Sequence, residues 1–116
     1  GGVYVQSSAH ATSSPQLSLK VNGGSLTASG GDGISFNVGS FGDIGATTSL
    51  TITDHAIVDA RNGGISADGV SVKPNVNIGS TDSTGGIVWN GSEGTVYGDV
   101  ELQEDLEIGE DETLTI

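Results

Sequence analysis

The chain contains no cysteine, which excludes disulfides and thiolate metal sites. No apolar run approaches the roughly 20 residues of a membrane-spanning helix, and no stretch reads as a signal peptide. Positive charge is almost missing: three basic residues stand against fifteen acidic ones, a formal net charge of −12. Nucleic acid and anionic membrane surfaces require cationic patches, so both are excluded as partners. Apolar residues make up 34% and aromatics 4%, too few for a compact globule around one thick core. Scattered along the chain, such a composition would suit disorder.

The apolar residues are not scattered. They fall in short beads of alternating spacing, such as Val3-Tyr4-Val5, Leu17-Ser18-Leu19-Lys20-Val21 and Leu50-Thr51-Ile52. Period-two beads are strands with one buried face. Twenty glycines, with many Ser, Thr and Asn residues, supply the turns between them. One pattern is written twice, 31 residues apart and without gaps. Leu19, Val21, Ser25-Leu26 and Gly33-Ile34-Ser35 match Leu50, Ile52, Ala56-Ile57 and Gly64-Ile65-Ser66. A repeat of that size made of short strands is the mark of a solenoid. The sequence therefore predicts an all-β fold, a single-stranded right-handed parallel β-helix, with Leu19/Leu50, Val21/Ile52, Leu26/Ile57 and Ile34/Ile65 stacked inward.

One β-helical domain is expected over 1–116. Glycine-rich coils would occupy about 1–92, and acidic terminal coils 93–116. Ser7 to Gln16, with Pro15, is expected to be a loop or coil corner, Gly39 to Thr48 an insertion, and Val70-Ser71-Val72 a further coil side followed by Pro74 at a corner. Nine of the fifteen acids lie in the last 24 residues, where Val100-Leu102, Leu106-Ile108 and Leu114-Ile116 read as short strands. The chain begins at Gly1 without Met and reaches Ile116 without a polar cap, so it is expected to be a fragment of a longer solenoid.

Ser83-Thr84-Gly85-Gly86-Ile87-Val88-Trp89, Gly94 to Val100, Leu106-Glu107-Ile108 and Glu112 to Ile116 carry a resemblance. So does Leu50-Thr51-Ile52-Thr53 with Ala56-Ile57-Val58. These segments resemble the glycine-rich parallel β-helix repeat region of large secreted, adhesin-like surface proteins of Gram-positive gut bacteria. The resemblance implies an extracellular, non-catalytic module at the bacterial surface, structural or adhesive, in contact with glycans or host surface proteins. It brings no catalytic residues.

Candidate sites follow from the residues. Gly30 to Phe36 resembles the calcium nonapeptide of β-rolls, but Ser35 stands where the ligating Asp belongs, so a corner is the better reading. Calcium would find oxygen ligands in the acidic segment, with Asp99, Asp105 and Glu107 the candidates. The alternative is a solvated acidic surface that keeps sheet edges apart. Exposed rings stack on sugars, which makes Trp89 and Tyr97 the candidate glycan platform, against simple packing. Asp54, His55, Asp59 and Arg61 form the densest ionisable group before the acidic end. In a carbohydrate-active enzyme, a β-helical polysaccharide lyase or glycoside hydrolase, such groups would converge in a cleft. On a plain strand Asp59 and Arg61 share a face and pair at the surface. Oligomeric state is not encoded in any of these features.

Overall fold

The computed structural model describes residues 3–6, 16–39, 47–69, 75–102 and 105–116. The strands are β1 (Val3–Gln6), β2 (Gln16–Asn22), β3 (Ser25–Thr27), β4 (Ile34–Gly39), β5 (Thr47–Thr53), β6 (Ala56–Ala60), β7 (Ile65–Gly69), β8 (Val76–Ser80), β9 (Gly86–Asn90), β10 (Glu93–Tyr97) and β11 (Thr113–Thr115). There is no helix among the described residues. The polar segment 7–15, most of the expected insertion (40–46) and the stretch 70–74 lie outside the described residues. His10, Phe41 and Glu104 lie outside them too.

The strands form three separate sheets, ordered β1-β4-β7, β2-β5-β8 and β11-β10-β9-β6-β3. This corrects the expectation of a single continuous right-handed parallel β-helix. The finding that overturns it is the third sheet, where β9 and β10 pair antiparallel, so the molecule mixes both pairing modes. The physical cause is local. Gly91-Ser92 joins the two strands as a two-residue hairpin, with Gly91 at φ 61° in its first position. Glycine there suits the turn family whose twist matches paired strands.

Elsewhere the repeat sets the register. Leu19 pairs with Leu50 and Val21 with Ile52 in parallel β2–β5, while Ile34 pairs with Ile65 in parallel β4–β7. The third expected ladder slips by one residue: Leu26 opposes Val58, and Ser25 opposes Ile57. Because side chains alternate along a strand, the slip changes which residue points inward. Val58, not Ile57, is fully buried. The inner core gathers Leu17, Ile34, Phe36, Leu50, Ile52, Ala56, Val58, Ala60 and Val88 between the sheets. Thr48 is buried among them, its hydroxyl satisfied by donating to the Asn75 carbonyl at 3.1 Å.

The acidic end departs furthest from expectation. Of its three apolar doublets only Leu114 lies in a strand, β11, which pairs parallel with β10; Ile116 lies beyond the strand and is exposed. Residues 100–102 and 105–109 are irregular, and Leu102 and Ile108 stand about half exposed, at 48% and 50%. They are not inward coil positions.

Candidate functional site

The third sheet has two covered faces. In β9, Val88 opposes Val58 and joins the inner core, so Ile87 and Trp89, its neighbours, point outward by strand alternation. Both are nevertheless buried. Trp89 lies beside Asp59 of β6 on one side and Gly94 of β10 on the other. The glycine is required there, since a Cβ at position 94 would lie 2.7 Å from the indole Cε3.

Arg61, just past the end of β6, lies over the indole with its guanidinium carbon 4.8 Å from the ring centroid. Its planar fork grips Asp59: Nε donates to both carboxylate oxygens at 3.0 and 3.1 Å, and Nη2 donates to Oδ2 at 2.7 Å. Nη1 reaches the acidic end, donating to the Glu107 carbonyl at 2.6 Å and to Glu112 Oε1 at 3.0 Å. The hydrogen bonds from Arg61 hold the Asp59 carboxyl below its ordinary value against the opposing effect of partial burial. Asp59 in turn raises the guanidinium pKa. The described residues 98–102 and 105–112, between β10 and β11, thus meet this outer face as a strap. The indole Nε1 is buried without a hydrogen-bond partner.

A second anchor holds the start of the strap. Asp54 and His55 make the tight turn between β5 and β6, both at positive φ (55° and 59°). His55 Nδ1 accepts the Glu101 backbone N–H at 3.0 Å, and the His55 backbone N–H donates to the Gly85 carbonyl at 3.1 Å. The Asp99 N–H donates to the Ser83 carbonyl nearby. The Asp54 N–H donates to Thr84 Oγ1, which donates to Asp82. Thr84, the Gly85 N–H and Ser80 together keep the Asp82 carboxyl below its ordinary range, the Thr84 bond most of all.

The expected group of Asp54, His55, Asp59 and Arg61 is therefore divided between the two ends of β6. At about 3.3 Å per residue, His55 and Asp59 stand about 13 Å apart along the strand. They build two anchors rather than one cleft. Trp89 and Tyr97 are also parted. Tyr97 opposes Gly86 and turns inward against the inner core, on the other face of the sheet from Trp89. With Trp89 0% exposed, its indole faces are closed to a sugar, while Tyr97 is half-buried. Asp99, Asp105 and Glu107 are exposed, and among the described residues no three His, Asp or Glu side chains gather as metal ligands. The strap itself could not be read from the sequence. The one local signal nearby was Gly91-Ser92 between apolar runs, which fits a two-residue hairpin loop. Comparison with known proteins finds no matching family model, no matching curated protein and no matching solved structure.

Proposed function

We propose that the chain is a non-catalytic structural module of an extracellular bacterial surface protein, a strand-built spacer with an acidic outer face. The observation that carries this reading is how the ionisable groups of the site are used. Asp59, Arg61 and Glu112 are engaged with one another, and His55 Nδ1 is occupied by a backbone amide. A general acid working near neutral pH needs a raised pKa, whereas the Asp59 carboxyl is pushed the other way. The molecule is also elongated, 45 × 29 × 21 Å, as suits a spacer. Polysaccharide partners are tested by titrating the protein with a panel of neutral and acidic glycans. Quenching of its single tryptophan reads binding, and release of reducing or unsaturated ends reads turnover. Neither is expected. Saturable quenching would make the module an adhesive one, and turnover would replace the spacer with a carbohydrate-active enzyme.

A further inference from the structure

The turn at Asp54-His55 is costly for the residues it uses. Thirty-one residues earlier, the equivalent turn between β2 and β3 is built by Gly23-Gly24, also at positive φ (75° and 67°). The two turns stack, with the Gly23 N–H donating to the Thr53 carbonyl. Glycine accepts that backbone freely, whereas a side-chain-bearing residue is strained in it. Strain retained where a stacked neighbour shows the unstrained solution points to a role for the side chain. At His55 that role is visible: Nδ1 accepts the Glu101 N–H, which places the proton of the neutral ring on Nε2.

We infer that His55 is a pH-sensitive catch for the strap, closed when its ring is neutral and released when the ring takes up a second proton. Protonation turns Nδ1 from acceptor to donor, so it would face the Glu101 N–H donor to donor and the bond cannot survive. Histidine is the side chain that makes this change between about pH 5 and 8. The charged groups on the elements touching His55 are Asp54 in its own turn, Asp82 in the β8–β9 turn, and Asp99 and Glu101 on the strap. All are acidic and attract an imidazolium, but none can restore the acceptor that the Glu101 N–H loses, so the loss is read at that amide. The Arg61 anchor does not follow, because a guanidinium stays charged throughout this range. The strap therefore opens at one end only. The segment Asp99–Leu102 is freed at Glu101, while the Trp89 end stays tied by Arg61.

The test is amide hydrogen exchange of the intact chain by NMR, with the Glu101 protection factor corrected for the intrinsic pH dependence of exchange. His55 ring protonation is followed in the same samples. Protection at Glu101 is expected to fall about five- to tenfold from pH 8 to pH 5, the size of one lost hydrogen bond, with the midpoint of the His55 titration. His55→Asn keeps an acceptor oxygen near the Nδ1 position and tolerates positive φ, yet does not titrate. Its protection should stay high and flat. His55→Gly relieves the turn and removes the acceptor, so protection should be low and flat. Wild-type protection that ignores the His55 titration overturns the proposal, and so does a fall of equal size in His55→Asn. If His55→Asn does not fold, a pH-independent profile in His55→Gly beside a titrating wild type supports the catch, and a profile in His55→Gly that falls as the wild type does overturns it.

Discussion

Arg61 concentrates more interactions than any other single side chain at the outer face, and its substitutions separate charge from shape. Arg61→Ala removes an ion pair worth up to about 1 kcal/mol at this exposure and a cation–π contact worth about 0.5–1 kcal/mol. A loss of about 1–2 kcal/mol in unfolding free energy, read in a denaturant titration, is expected, with a shift in the emission of Trp89. Arg61→Lys keeps the charge but not the fork, and should recover less than half of the loss. The pH dependence follows from Asp59. Its folded carboxyl lies below the ordinary 3.8, so its stabilisation is complete above that value and is lost as pH falls through the lower folded value. Arg61, raised from its ordinary value, contributes equally at every pH below it. Melting curves should therefore show no change in the contribution of this pair between pH 5 and 8. The fall in stability below about pH 4 should be shallower in Asp59→Asn.

At the scale of the strands, the register of β3 against β6 is the sharpest point of control. Val58→Ala opens a fully buried site, so a loss of about 2 kcal/mol or more is expected. Ile57→Ala, on the half-buried outer side, should lose under about 1 kcal/mol in the same urea series. Equal losses would show that the ladder is aligned as Leu26 with Ile57 after all. The β9–β10 hairpin has its own test. A Cβ at Gly91 meets nothing within 4 Å, so Gly91→Ala isolates the backbone cost of positive φ, about 1–2 kcal/mol.

These elements also show what was legible in the sequence. The period-two beads and the identical spacing of Leu19/Leu50, Val21/Ile52 and Ile34/Ile65 were enough to give the strands of the repeat and three of the four expected pairs, but the same beads misled at Val100-Leu102 and Leu106-Ile108, which are irregular. They could not give the slip at Leu26, because a three-residue strand of Ser, Leu and Thr offers too little pattern to hold a register against its turns. The reversal at Gly91 was hidden because an alternating bead reads the same in either direction of pairing. Arg61 over Trp89 joins residues from different strands, and the strap contacts span 46 and 51 residues, so no local pattern reports them.

On the scale of the whole molecule, the charge of −12 sets the response to solvent. The carboxylates of the acidic end repel one another over about 8 Å at physiological salt. No three such carboxylates gather as metal ligands among the described residues, and the relief expected is screening. Sodium chloride and calcium chloride at matched ionic strength should raise the melting temperature alike. A saturable rise at low calcium, too dilute to change screening, would instead reveal linkage to a bound ion. The hairpin that breaks the parallel pattern has a last consequence, and it concerns time. Every parallel ladder among β1 to β9 joins strands about 30 residues apart, as Leu19 is from Leu50, and such long closures are slow. Asn90 and Glu93 pair across two residues, and hairpins close in about 1–10 μs. The β9–β10 ribbon is thus expected to be the first ordered piece of the chain, offering β9 as a ready edge on which β6, and then β3, can align. A chain written as a repeat from its amino end would then assemble from the other.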